Sequence, residues 1–166
     1  TAETKGLRRR PPEPPEPGSP VDRAIPPGIR PDADFANRRD VLTSDIPSGG
    51  TMTARGAARV YAALLGHVAG VDLVSPPRRA DMAAPALEGP DEVMGIPTTW
   101  AFGFSPQRPG GVPSRPGSTF GMAGANGSAA YADIDSGVAV ALMRNRFGGA
   151  GLAAVVEVDR IVADAF

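Results

Sequence analysis

Apolar and polar positions along this chain follow two periods, one helical and one extended. From residue 51 onward, Ala54, Ala57, Ala58, Tyr61, Leu64, Leu65 and Val68 recur at the three- and four-residue spacing of one helix face, while Arg55 and Arg59 share the other. Thr51 or Thr53 can cap this helix through its side-chain oxygen, and Gly66 and Gly70 both offer ways to end it. Ser75-Pro76 predicts the start of a short second helix through Met82 and Ala83, and the prolines of residues 85–90 break it. Residues 91–96 and 98–104 read as extended. In the second of these, Trp100, Phe102 and Phe104 alternate as one buried strand face requires, and it is expected to be the first sheet strand of the C-terminal half. Leu152, Val155, Val158, Ile161, Val162 and Phe166 return to helical spacing, which predicts an amphipathic helix able to cover one face of a sheet.

Between these elements lies an expected antiparallel hairpin. Ala129 and Tyr131 alternate up to Asp133, Asp133-Ile134-Asp135-Ser136-Gly137 supplies turn chemistry, and Val138-Ala139-Val140-Ala141-Leu142-Met143 is the returning strand. Just ahead of it, Gly121, Gly124 and Gly127 fall three residues apart where a strand would carry side chains. Glycine in such a place signals close approach to the backbone, by a ligand or by another segment. Read from residues alone, the hairpin fits any glycine-rich antiparallel sheet. Residues 106–118 read as a mobile Gly/Pro-rich loop leading into it.

Composition narrows the chemistry. Gly and Pro number 21 and 19 among 166 residues, so loops are abundant, and aromatic content of 5% leaves a core built from Ala, Val and Leu. The net charge of -1, with both signs mixed, gives no nucleic-acid footprint. The absence of cysteine excludes disulfides and thiolate metal sites, and one histidine, His67, excludes a histidine metal cluster. No cofactor or metal is implied. No apolar run is long enough to span a bilayer, and no signal-peptide pattern is present, so the compartment stays unknown.

Residues 1–50 form a Pro-rich, irregular connector, residues 51–90 a helical segment, and residues 91–166 the strands with the final helix; together they read as one incomplete domain. Arg8-Arg9-Arg10-Pro11-Pro12-Glu13-Pro14-Pro15-Glu16-Pro17 is expected to be extended and exposed, as a surface connector or as a proline-motif ligand. Tyr61 and Tyr131 are expected to pack in the core and in the sheet. His67 could be a general base by type alone, but no acid or hydroxyl nucleophile is placed beside it by a motif, which favours a helix-terminal role.

The run Phe120-Gly121-x-x-Gly124-x-x-Gly127-Ser128, an Ala132-Asp133 turn, a second strand and an Asn145-Arg146 ending resemble the C-terminal part of the serine β-lactamase and penicillin-binding-protein family, in its esterase-like branch. Asp34-Phe35-Ala36-Asn37-Arg38 and Ile46-Pro47-Ser48-Gly49-Gly50 are similar to that branch's long loop before the active-site rim. The resemblance implies an α+β fold: the C-terminal portion of a β-lactamase/transpeptidase-like domain, with antiparallel strands, a C-terminal helix packed on the sheet, and a helical and loop segment before them. The family's third motif, Lys-Thr-Gly or His-x-Gly, falls on Met122, Ala123 and Gly124. Only Gly124 matches, and the N–H of Ala125 takes the family's place as an oxyanion-hole donor. Met122 removes any proton-transfer or anion-binding role at the first position.

The family's nucleophile is the serine of Ser-x-x-Lys. Lys5 is the only lysine and Ala2 stands three residues before it, so this motif is absent, as is a convincing Tyr-x-Asn; both are expected upstream of residue 1. No catalytic nucleophile is therefore assigned in this chain. Two readings follow: part of a serine hydrolase acting on a small-molecule ester or amide, or a degenerate or truncated non-catalytic member that serves as a binding or structural domain. Either leaves a sheet edge and a helix face uncovered, to be filled by the domain's N-terminal half or by self-association. The isolated chain is accordingly expected to be marginally stable, oligomeric or partner-dependent. Analytical ultracentrifugation with thermal melts checks this: a monomer with one cooperative, well-separated transition contradicts it.

Overall fold

The computed structural model describes residues 14–29, 32–45, 50–145 and 151–166. Three short helices come first, α1 (Pro20–Ala24), α2 (Ala33–Asn37) and α3 (Arg39–Leu42), and none buries a residue. Ser19 and Asp32 begin the first two, their side chains accepting from the N–H groups of Asp22 and Phe35. Most of the arginine- and proline-rich run, together with Ile46-Pro47-Ser48-Gly49 and Arg146 of the Asn-Arg ending, lies outside the described residues.

The long apolar period produces α4 (Ala54–Leu64). Of the two threonines able to cap it, Thr53 does so, accepting from the Gly56 N–H at 3.0 Å. Of the two glycines able to end it, Gly66 does, at φ +80°. The last carbonyls are held from outside as well, because Arg79 Nε donates to Leu64 O at 2.8 Å. Arg79 belongs to α5 (Pro76–Ala83), which begins at Ser75 with proline in the first turn as the sequence predicts, although the serine hydroxyl makes no capping bond.

Two antiparallel sheets follow. β1 (Leu87–Pro90) and β2 (Pro97–Trp100) form a two-stranded hairpin, and β3 (Thr119–Ala123), β4 (Ala129–Asp133) and β5 (Ala139–Leu142) form a three-stranded sheet with β4 in the centre. The expected hairpin is thus β4–β5, paired Tyr131 to Val140. The chain closes with α6 (Ala153–Ala165).

Several details depart from the sequence reading. Residues 1–50 were expected to be an irregular connector, yet α1, α2 and α3 fall within residues 20–42. Residues 91–96, expected to be extended, form the turn between β1 and β2: Asp91 Oδ1 accepts from the N–H groups of Val93 and Met94, and Asp91 N–H donates to Ile96 O. The segment taken as the first strand of the main sheet pairs instead with β1. Its alternation ends at Trp100, because Ala101 N–H donates to Phe104 O across a tight turn, leaving Phe102 69% exposed while Phe104 enters the core.

The core lies between the main sheet and the helices α4 and α5. Leu65, Met82, Ala83, Phe120 and Ala132 are buried together, with Tyr61, Leu64 and Phe104 packed against them. Tyr61, Phe104 and Phe120 form an aromatic trio with ring centroids 5.4 to 6.2 Å apart, stacked in one pair and edge-on in the other two. α6 covers the opposite face through Val155 and Asp159, 3% and 0% exposed. Among the described residues, no helix is long and apolar enough to cross a membrane. Phe120 is fully buried at the centre of the trio, so Phe120→Ala should lower unfolding free energy by about 3–5 kcal/mol, read from denaturant midpoints at unchanged slope.

Candidate functional site

The β3 strand has two different sides. At Gly121 its outer side pairs with Ser105: the Gly121 N–H donates to Ser105 O at 3.0 Å and the Ser105 N–H donates to Gly121 O at 2.8 Å. Antiparallel alternation then directs the backbone groups of Phe120 and Met122 toward β4 and those of Ala123 outward. Beyond Ser105, no strand among the described residues pairs with that outer side.

The strand runs into a tight turn. Gly124 N–H donates to Ser128 O at 2.8 Å, Gly127 N–H to Gly124 O at 2.9 Å, and Ser128 N–H to Asn126 Oδ1 at 3.0 Å. Ala125 sits exposed at its tip, and among the described residues its N–H has no acceptor. Met122 is 39% exposed, and Ala123 is half-buried beside it. The four positions singled out in the sequence are therefore contiguous on one open strand end.

The three regularly spaced glycines answer to different constraints. A side chain at Gly121 would overlap the Cβ of Tyr131 directly across the ladder and lie 2.6 Å from Ala130 O, so packing alone demands glycine there. Gly127 has φ +81°, and a side chain would overlap Gly151 O. At Gly124 a Cβ would meet only Asn126 Oδ1 at 3.3 Å and Ser128 O at 3.6 Å, contacts that a small shift accommodates. Among the described residues Gly124 is therefore the least obstructed of the three, a Cβ there needing only a shift of a few tenths of an ångström at Asn126 Oδ1.

A second constellation, unread in the sequence, lies on the α6 face. Arg108, its side chain 8% exposed, donates from Nη2 to Asp133 Oδ2 at 3.1 Å and places Nη1 3.5 Å from Asp159 Oδ1. Asp159 also accepts from the Tyr131 hydroxyl at 2.7 Å and from the Val112 N–H at 3.4 Å. Asp133 Oδ1 accepts from the N–H groups of Asp135 and Ser136. The 106–118 loop, expected to be mobile, is thereby anchored at Arg108 and Val112. Tyr131 is thus more than sheet packing. Burial first, then donation to Asp159, holds its hydroxyl well above the usual tyrosine range. Tyr61 is also raised, by burial.

These buried charges form a structural pin. Two depressions of about 390 Å³ each adjoin Arg108, and neither is lined by residues 122–125. His67 lies beyond α4 with Nδ1 3.2 Å from Gly137 O, joining the helix end to the β4–β5 turn. The signal that could have pointed to the pin was Asp159, an acid set within the apolar stripe of α6.

A beta-lactamase family model matches residues 10–163. Among solved structures, EstA from Arthrobacter nitroguajacolicus Rue61a is similar at 23% identity and TM-score 0.55, over 69% of this chain and 32% of that one. A family VIII carboxylesterase is similar at 27% identity and TM-score 0.61, over 76% and 36%. A penicillin-binding protein homolog from Caulobacter crescentus is similar at 30% identity and TM-score 0.55, over 66% and 31%. The chain spans about a third of the length of each of these structures. No curated protein sequence matches it.

The raised tyrosines set an alkaline limit. A hydroxyl whose folded pKa lies above its unfolded value of about 10 adds stability that is intact below that pH and declines as pH rises past it. Tyrosinate absorbance should therefore rise only together with loss of far-UV circular dichroism, above about pH 10. Tyr131→Phe should remove part of this dependence and lower stability at neutral pH by about 1–3 kcal/mol, since Asp159 loses a donor. Tyrosinate appearing with the fold intact would contradict the assignment.

Proposed function

The chain belongs to the beta-lactamase family, and from that premise we propose that it forms the oxyanion side of a serine acyl-transfer site acting on a small-molecule ester or amide. The observation that carries this reading is Gly124: the fold leaves room for a side chain there, so the bare backbone serves something outside the fold, and a substrate lying along the open β3 edge is that partner. Beside it, the Ala125 N–H, without an acceptor among the described residues, is the kind of donor that stabilises negative charge developing on a carbonyl oxygen.

In the reaction, a serine hydroxyl outside this sequence attacks the carbonyl carbon and its proton passes to a neighbouring base. The carbonyl oxygen takes on negative charge as the tetrahedral intermediate forms, and Ala125 donates to it. Collapse expels the alcohol or amine and leaves an acyl-serine, which water hydrolyses. The nucleophile and its lysine come from a Ser-x-x-Lys segment that this sequence does not contain. Residues 51–90 with 91–166 then act as one part of a larger domain, whose remainder covers the β3 edge and the exposed apolar positions of α4 and α6.

A second reading is favoured by Met122. A thioether where the family has Lys or His offers neither a proton nor a positive charge, which fits a member that binds small molecules without turning them over. The same substitution, in an active enzyme, favours uncharged substrates over anionic ones.

Fluorophosphonate labelling separates the two. In the protein carrying the Ser-x-x-Lys segment, wild type should label, and Gly124→Val should slow labelling about 100-fold by displacing the probe's phosphoryl oxygen from the oxyanion position, with its melting temperature little changed. Unlabelled wild type would establish the non-catalytic reading; a Gly124→Val protein labelled at the wild-type rate would remove the active site from this strand.

A further inference from the structure

The turn that carries Ala125 is held from below by one cation. Arg144, just past the end of β5, donates from Nη1 to Asn126 O at 2.9 Å and to Gly151 O at 3.3 Å. Its own backbone N–H donates to Ser128 Oγ at 3.0 Å. A Cβ at Gly127 would lie 2.6 Å from Arg144 Nη1 and 3.3 Å from Arg144 Cδ, so the arginine side chain lies against the backbone of the turn at its one left-handed residue. The same guanidinium therefore joins the β3–β4 turn, the end of β5 and the residue that leads into α6.

We infer that Arg144 is a positioning residue for the Ala125 N–H, an assignment that rests on the acyl-transfer reading above. Turns of this kind fluctuate unless their carbonyls are fixed, and a donor aimed at a developing oxyanion acts only when its direction is set before the charge appears. Within the turn, the 124–127 and 124–128 backbone bonds and the Asn126 side chain fix the Gly124 and Gly127 ends. The carbonyl of Asn126, immediately after Ala125, is fixed by Arg144, through a charge-assisted bond stronger than a neutral one. One guanidinium nitrogen, Nη1, reaches two carbonyls from different segments and holds the tip against the sheet. A lysine ammonium carries the same charge on a shorter stem and keeps only part of that reach.

The test uses two readouts. In the protein carrying the Ser-x-x-Lys segment, Arg144→Met should lower kcat for p-nitrophenyl acetate about tenfold with KM little changed, and Arg144→Lys should recover part of the loss. Amide hydrogen exchange should show faster exchange at Gly124 and Gly127 in Arg144→Met, with the amides of β4 unchanged. An unaltered kcat in an active protein overturns the inference and leaves the acyl-transfer reading standing. A lowered kcat with unaltered turn exchange assigns Arg144 to direct substrate contact and also overturns it, as does equal loss of protection throughout β4, which marks global destabilisation. A wild type that hydrolyses no ester removes the acyl-transfer reading and the catalytic role of Arg144 with it.

Discussion

Removing a guanidinium from water costs several kcal/mol unless carboxylates and hydrogen bonds replace the solvent, and in this chain Arg108 meets that demand in part by recruiting groups far apart in sequence. It has one hydrogen bond to Asp133 and a charge contact with Asp159, while Nε and Nη1 have no hydrogen-bond partner among the described residues. Asp133 comes from the end of β4, Asp159 from the middle of α6, and Arg108 itself from a loop rich in glycine and proline. Each carboxylate oxygen has a donor: Arg108 and Thr119, the Asp135 and Ser136 amides, Tyr131, and Val112. Of the apolar stripe of α6 only Val155 is buried, while Leu152, Ile161 and Phe166 are exposed. The fully buried Asp159, beneath Tyr131 and Arg108, is therefore the main feature that fixes which side of α6 faces the sheet.

The two faces of the main sheet are consequently held by different chemistry. Toward α4 and α5 the contacts are aromatic and aliphatic, centred on Phe120; toward α6 they are ionic and hydrogen-bonded, centred on Arg108. The outer end of β3, with Met122 exposed and Ala123 half-buried, lies open along its edge among the described residues.

Elements with long, regular periods were legible in the sequence. α4, α6 and the β4–β5 hairpin each carry enough repeated positions to outweigh local exceptions. Shorter stretches were misread where one side chain or one turn overrides the period. Asp91 turns residues 91–96 through bonds from its own carboxylate, and the reversal at 101–104 sends Phe102 outward just after an alternation that had placed it inside. The Arg108 pin was invisible for a different reason: Tyr131 and Asp159 are 28 residues apart, and no local spacing records a contact that exists only once α6 has docked. Positions 122–125 were singled out through family resemblance, and they lie at an exposed strand end. Spacing could not show that Gly121, Gly124 and Gly127 answer to different constraints.

That difference among the glycines bears on how such a chain can change over generations. Gly121 is held by the Tyr131 side chain and Gly127 by the handedness of its turn, so a substitution at either harms the folded state whatever the protein is used for. Gly124 carries no such obligation. Selection for folding alone would therefore preserve Gly121 and Gly127 and leave Gly124 the freest of the three to vary.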